Sequence, residues 1–144
     1  MTQEEKQLLL KDLCTRLPYG VIAYASEINK NGIITDVNIP YNMVNLTDDN
    51  ADGNYELVPL FDIKPYLRPM SSMTEEEKKI MRSYGFELIP YDTGHTGFAN
   101  IENCIDEASF RFMEEFLNAH YFDYRDLIPM GLALEAKEGM YKTE

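Results

Sequence analysis

The spacing of hydrophobic residues near the start of the chain predicts an amphipathic helix. Leu9, Leu13 and Leu17 recur every four residues and therefore share one helical face. Thr2 begins a capping box, in which a threonine hydroxyl and a glutamate carboxylate each accept a hydrogen bond from a free backbone N–H. Pro18 lacks the N–H that a continuing helix needs, so we expect the helix to end there.

Residues 21–63 have the composition and the alternation of β-strands. A hairpin turn is expected over 29–32, because Asn31 followed by Gly32 suits a tight turn. Pro40 separates or bends the next strand, and Pro59 interrupts the one after it, because proline has no N–H to donate to a ladder. The predicted strands lie at 21–27, 33–39, 41–46 and 55–63, with an acidic loop at 47–54.

The second half of the chain predicts two further helices. Thr74 with Glu77 repeats the capping box, and Gly85 supplies a left-handed stop, so a helix is expected over 75–84. A longer helix opens at Asp106. We predict that one row of its residues, widened by Met113 and Leu117, forms the core face, namely Ile105, Ser109, Phe112, Phe116 and His120.

The segments around the long helix complete the prediction. A strand is expected over 86–91, followed by a glycine-containing loop over 92–100. Residues 124–130 have the pattern of a short closing helical turn, with Pro129 discordant because it removes a backbone donor. The chain beyond Ala136 is polar.

The order of these elements indicates the fold class. The chain has 144 residues, of which 44% are hydrophobic and 26% are charged, and this composition is typical of one globular domain. Helices and strands do not alternate strictly, which favours an α+β fold with an antiparallel sheet packed with about three helices. We predict a single domain over 1–136 and a polar C-terminal tail over 137–144.

Charge and cysteine content exclude some functions. A formal net charge of −12 disfavours direct binding of nucleic acid, because carboxylates repel phosphates. Cys14 and Cys104 lack the spacing of a metal site.

The first residues do not resemble a signal peptide, and no stretch has the roughly 18 apolar residues of a membrane span. We expect a cytoplasmic protein that contacts no membrane and needs no cofactor.

The acidic loop partly matches a calcium-binding loop. Asp48, Asn50, Asp52 and Gly53 occupy the first ligand and turn positions of that pattern. The twelfth position, which must supply a bidentate carboxylate, is Pro59, and the flanking segments are predicted to be strands. A plain strand-to-strand loop is the alternative, since Asp, Asn and Gly are common in turns.

The two histidines each lie near an aspartate. His95 follows Asp92 by three residues, and His120 precedes Asp123 by three. Either pair could act in acid–base chemistry or bind a metal, although no third partner has a defined spacing and structural roles are the alternative. Asp92 also opens the Asp-Thr-Gly tripeptide of aspartic proteases, which require a second such aspartate that this chain lacks.

A proline-punctuated segment supplies the candidate binding residues. Residues 64–74 read KPYLRPMSSMT, and the prolines favour an extended backbone that could display Lys64, Tyr66 and Arg68 to a partner. The alternative is a rigid crossover that packs Tyr66 on the core.

Three strings resemble a family of small proteins common in gut Bacteroidetes genomes and in their phages and mobile elements. They are LCTRLPYG at 13–20, KPYLRPMSSMTEEE at 64–77 and LNAHYFDYRDLIPMGLALEA at 117–136. The resemblance touches the start, middle and end of the domain. It implies an intracellular, phage-derived protein and supplies no catalytic residue.

Three functional hypotheses follow. The leading one is a non-enzymatic acidic binding or accessory protein that acts through protein partners, since no catalytic constellation is evident. The second is a nucleic-acid mimic that inhibits a host DNA-processing enzyme, which requires carboxylates in ordered rows. The third is an enzyme with a site near His95 and His120, which requires the two imidazoles to meet.

Overall fold

The computed structural model describes residues 1–48, 54–90, 96–100 and 107–141. Within them it has the helices α1 (Gln3–Arg16), α2 (Glu75–Ser83) and α3 (Glu107–Ala119). The strands are β1 (Ile22–Ala25), β2 (Lys30–Asn38), β3 (Met43–Thr47), β4 (Tyr55–Pro59), β5 (Ile63–Leu67), β6 (Phe86–Pro90), β7 (Thr96–Asn100) and β8 (Leu134–Glu135). Short 3-10 turns occupy Leu17–Tyr19, Leu60–Asp62 and Met70–Ser72.

Six strands form the main sheet in the order β4-β3-β2-β1-β5-β8, and β6 pairs with β7 in a separate hairpin. All neighbours in the main sheet run antiparallel except β8, which runs parallel to β5. The predicted α+β class, with an antiparallel sheet and three helices, is confirmed. None of the described helices is long and apolar enough to cross a membrane.

Helix α1 packs against one face of the main sheet through its leucine stripe. Leu9 and Leu13 are fully buried, in the same hydrophobic cluster as Ala23 and Ile34 of the sheet. Thr2 and Glu5 form the predicted capping box, with the Thr2 hydroxyl accepting the Glu5 N–H at 3.1 Å. Burial of each leucine stabilises the fold by about 1.5–3 kcal/mol.

A second hydrophobic cluster joins α2, α3 and β6. Its buried members include Met81, Phe86 and Leu117. The predicted core row of the long helix is wrong at Phe112, which is 51% exposed and stacks on Tyr84 with the ring centroids 5.6 Å apart. Leu117, which was predicted to widen the row, is buried in the cluster. Burial along the row therefore depends on where the second cluster lies and not on the helical period alone.

The chain after α3 does not form the predicted helix over 124–130. It makes a series of turns instead, with positive φ angles at Tyr121 (63°), Asp126 (60°) and Gly131 (76°). A helix cannot continue through such backbone conformations. The Asp123 carboxylate accepts hydrogen bonds from two backbone amides of the turn, at 2.8 and 2.9 Å, and so takes the place of a helix cap.

Three other boundaries differ from the sequence prediction. The loop expected over 92–100 ends in β7, which pairs with β6 from Phe86 to Pro90. The strand expected over 55–63 divides at Pro59 into two strands separated by a 3-10 turn. The third difference is β8, whose two residues carry no alternation of their own. Tertiary pairing with β5 creates that strand.

Residues 136–141 follow β8 back across the sheet. The Tyr141 hydroxyl accepts the Ile22 N–H at 2.9 Å and donates to the Tyr66 carbonyl at 2.7 Å. The Tyr141 ring stacks on Tyr121 with the centroids 3.7 Å apart. This side chain, in the segment predicted as a polar tail, thus joins β1 and β5 to the turn after α3.

Candidate functional site

An open groove of about 1360 Å³ lies beside the β8 edge of the main sheet. Helix α2 forms one wall with Glu75, Glu76 and Ile80, and residues 135–139 form a second wall. Arg68, Glu77 and His120 are the more buried charged or titratable residues that line it, and we call these three the groove floor. The groove therefore combines a sheet edge, a helix and a polar floor.

Arg68 and Glu77 form a two-pronged ion pair at the floor. Arg68 Nη1 donates to Glu77 Oε2 at 2.8 Å, and Nη2 donates to Oε1 at 2.7 Å. The side chains are only 18% and 11% exposed. The guanidinium also lies over the Phe122 ring, 4.1 Å from its centroid. This geometry fixes both charged groups, since a bidentate pair is stronger and more directional than a single contact.

Local sequence positions both partners of this pair. The capping box of α2 holds Glu77, whose Oε1 accepts the Thr74 N–H at 2.9 Å. The Arg68 backbone is held by the turn after α3, because its N–H donates to Tyr121 at 2.7 Å and its carbonyl accepts the Asp123 N–H at 2.8 Å. The predicted capping box therefore also builds part of the site.

His120 completes the floor at the end of α3. Its Nδ1 is buried, has no hydrogen-bond partner and lies 3.5 Å from Glu77 Oε2. Burial lowers the pKa of His120; the nearby Glu77 carboxylate opposes this shift and Arg68 reinforces it. Burial acts to raise the pKa of Glu77, but the hydrogen bond and charge of Arg68 outweigh it and lower that pKa. At neutral pH the floor thus holds an ionised Glu77 and a neutral His120.

The carboxylates of Glu77 and Asp123 are poorly placed for proton transfer. Both oxygens of Glu77 are engaged by Arg68, so this carboxylate is a poor general base. The Asp123 carboxylate is occupied by backbone amides, and His120 lies beside Glu77 instead. The predicted His120 and Asp123 pair is therefore not formed.

The three predicted binding residues have different environments. Lys64 is exposed on β5, opposite Tyr24 of β1. Tyr66 is only 6% exposed, and its hydroxyl donates to Asn31 Oδ1 at 3.1 Å. Arg68 lies in the groove floor. The structure does not bring the three side chains together as one exposed surface, and whether they bind a partner stays a prediction.

A buried ionic network behind the groove was missed by sequence reasoning. Asp12 and Arg16 are both fully buried, and Arg16 Nε and Nη2 donate to the Asp12 carboxylate at 2.9 and 3.0 Å. Arg125 Nη1 donates to the same carboxylate at 2.7 Å. The spacing of four residues between Asp12 and Arg16 was a visible signal, but it is equally common on solvated helix faces.

The three strings at 13–20, 64–77 and 117–136 meet around this network and the floor. Arg16 from the first string donates to the Phe122 carbonyl of the third at 2.7 Å. The Tyr121 hydroxyl of the third donates to the Tyr19 carbonyl of the first. Arg68 of the second string is bonded through its backbone to the third. The three strings thus build one region of the fold.

Several predicted sites fall outside the described residues. Asp92, His95 and Cys104 lie there, as do Asn50, Asp52 and Gly53 of the calcium-like loop. Asp48, at its edge, is described and pairs with Lys30 at 2.8 Å. Cys14 is a half-buried free thiol, and burial raises its pKa.

The described part of the chain contains no group of three His, Cys, Asp or Glu side chains arranged to hold a metal ion. Comparison with models of protein families, with curated proteins and with solved structures finds no match. The fold and the site define an α+β domain with an open charged groove.

Proposed function

We propose that this protein is a non-enzymatic acidic binding or accessory protein that acts through a protein partner, which it holds in the groove between α2 and residues 135–139. The observation that carries this proposal is the groove itself, with Arg68 and Glu77 fixed to each other at its floor. A site that keeps these two charged groups paired supplies a stable surface, and it leaves Glu77 without a free oxygen to act as a general base.

The dimensions of the groove favour a macromolecular partner. Small-molecule sites usually enclose about 300–1,000 Å³ and bury most of the ligand. This groove has a volume of about 1360 Å³ and is partly open to solvent. A segment of a folded or extended protein fits such a shape better than a small metabolite.

The walls of the groove carry the charge that selects the partner. Glu75 and Glu76 lie on the α2 wall, and Glu135 and Glu138 lie on the other. Lys137 is the basic residue among them. The walls are therefore acidic, in keeping with the net charge of −12, and they would attract a basic partner and repel phosphate groups.

The remaining parts of the proposal come from the sequence. Two of the three strings that resemble Bacteroidetes and phage-associated proteins supply the groove floor, since Arg68 and Glu77 lie in 64–77 and His120 lies in 117–136. A phage or mobile-element origin is part of the proposal on the strength of that resemblance alone. We include a cytoplasmic location in this proposal, because the resemblance implies an intracellular protein.

A second candidate function is nucleic-acid mimicry. It is favoured by the same acidic side chains, which lie on both sides of the groove and could occupy the DNA-binding cleft of a host enzyme. The two functions differ in the identity of the partner. A captured DNA-processing enzyme whose binding weakens with salt would favour the mimic.

Affinity capture from native host cells tests the proposal. Wild-type protein is compared with the groove variant Glu135→Lys/Glu138→Lys and with a matched control, Glu114→Lys/Glu115→Lys, which makes the same charge change on the exposed side of α3. We expect one or more proteins to be retained by wild type and control and lost by the groove variant. Equal retention by all three would refute the groove as the binding site.

A further inference from the structure

We infer that the groove binds an extended, lysine- or arginine-bearing segment of the partner, which adds as a new strand to the open edge of β8. This inference rests on the proposed function and specifies how the partner is bound. Three features carry it: the backbone of the β8 edge, the α2 helix that lines the groove with this edge, and wall carboxylates that have no cationic partner among the described residues.

The edge of the sheet offers free backbone groups to a partner. β8 is the last strand of the main sheet and pairs with β5 in the register Tyr66 to Leu134 and Leu67 to Glu135. The Ala136 N–H donates back to the Leu67 carbonyl at 2.8 Å. Residues of a parallel ladder alternate in the direction of their backbone groups, so the N–H and C=O of Glu135 point away from β5. Such an edge is a template for another strand.

Helix α2 supplies the second surface that a strand needs. It contributes Glu75, Glu76 and the 40%-exposed Ile80 to the groove. A strand added to a sheet edge beside a helix makes main-chain hydrogen bonds on one side and side-chain contacts with the helix on the other. Ile80 offers an apolar contact among the carboxylates.

The charge of the walls specifies the side chains of the added strand. Within the described residues, Glu76, Glu135 and Glu138 have no cationic partner, while Glu75 pairs with Lys78 at 3.2 Å. Arg68 is already paired with Glu77. Because alternate side chains of a strand point to the same side, basic residues at every second position would face these carboxylates together.

The same features exclude a second copy of the chain as the occupant. Pairing of two β8 edges would place the acidic residues 135–138 of one copy against those of the other, and like charges opposite each other destabilise a ladder. The described part of β8 is also only two residues long. A basic segment from a different protein can pair with the outward backbone groups of β8 and also neutralise the carboxylates of the groove walls.

Fluorescence anisotropy with defined peptides tests the inference. The probe is a labelled, capped nonapeptide of alternating lysine and threonine, and the charge control is the same peptide with glutamate in place of lysine. We expect the lysine peptide to bind wild type and the Glu114→Lys/Glu115→Lys control. In Glu135→Lys/Glu138→Lys we expect at least about tenfold weaker binding, since two attractive contacts become repulsive. Lack of binding to wild type, or equal binding to the groove variant, would overturn the inference.

Backbone methylation separates strand addition from charge attraction alone. Two further peptides carry N-methyl groups either on every lysine or on every threonine, which leaves the charge unchanged. Because only alternate amides of an added strand face β8, we expect one of the two to lose binding about tenfold and the other to keep it. Equal binding of both, or equal loss, would refute strand addition.

Two variants of this protein test the same main-chain hydrogen bond at its β8 end. Glu135→Pro removes the outward N–H and the charge, while Glu135→Gln removes only the charge. We expect weaker peptide binding by the proline variant than by the glutamine variant, with urea unfolding showing that both are folded. If the peptides fail but the host capture still depends on the groove, this inference is wrong and the proposed function stands.

Discussion

Replacing Asp12 by alanine should destabilise the fold strongly, because it leaves Arg16 charged and buried without its partner. Arg16 is fully buried, and its Nη1 already has no hydrogen-bond partner. Its Nε and Nη2 both donate to Asp12, so the variant leaves only the Phe122 carbonyl, 2.7 Å from Nη2, as an acceptor. Arg125 loses its contact with Asp12 as well.

The magnitude follows from the geometry of the pair. Removing one partner of a buried ion pair typically costs about 3–5 kcal/mol, since the remaining charge stays desolvated. Arg125 is 13% exposed and can turn towards solvent, so we assign most of the loss to Arg16. We therefore expect Asp12→Ala to lower the free energy of unfolding by about 3–5 kcal/mol, a large share of the roughly 5–15 kcal/mol of a typical domain.

Urea unfolding followed by far-ultraviolet circular dichroism measures this change. The matched control is Glu4→Gln, which removes a carboxylate from the exposed first turn of the same helix and should change stability by less than about 1 kcal/mol. Asp12→Leu/Arg16→Met removes both charges, and we expect it to be more stable than Asp12→Ala. If Asp12→Ala behaved like the Glu4 control, the buried network would not be the stabilising element described above.

The other predictions concern stability at three separate positions. Tyr141→Phe should lower the free energy of unfolding, measured in urea, by about 1–2 kcal/mol, because it leaves backbone groups of β1 and β5 without the hydroxyl partner. Gly32→Ala should lower the free energy of unfolding by about 1–3 kcal/mol, because the added Cβ would lie 2.8 Å from Leu46 Cγ. A variant as stable as wild type would contradict this expectation. The lowered pKa of Glu77 means that its ionised form stabilises the fold above its unfolded pKa and that this contribution disappears as pH falls. Wild type should therefore lose stability relative to Glu77→Gln between about pH 5 and pH 3, and parallel pH profiles would refute this.

Local elements of the fold could be predicted because their physics acts over a few residues. Both capping boxes are confirmed at Thr2 and Thr74, where a hydroxyl and a carboxylate three residues apart satisfy helix N-terminal amides. Asn31 and Gly32 were expected as a hairpin turn, but the turn lies a few residues earlier, and both are in β2. The alternation predicts that strands exist, whereas their register depends on pairing across the sheet.

The groove could not be predicted in the same way. Arg68 and His120 are 52 residues apart in sequence. The proline-punctuated motif left open whether Tyr66 is displayed beside Arg68 or packed on the core, and Tyr66 is only 6% exposed. Glu77 was expected only as part of a helix cap, yet its carboxylate accepts hydrogen bonds from both the Thr74 N–H and the Arg68 guanidinium. No short-range sequence pattern indicates that a capping residue will also form an ion pair with an arginine from a different element.

By itself the sequence determined the helix starts, the presence of a leucine-faced first helix, the α+β class and the acidic character of the surface. These depend on hydrogen bonds and side-chain contacts within one or two turns, and on composition. Only the tertiary structure decided that Arg16 is buried, that β8 exists and that Arg68, Glu77 and His120 share one floor. Such features arise when many weak long-range contacts bring separate elements together, and each contact has a partner too far along the chain for local spacing to specify.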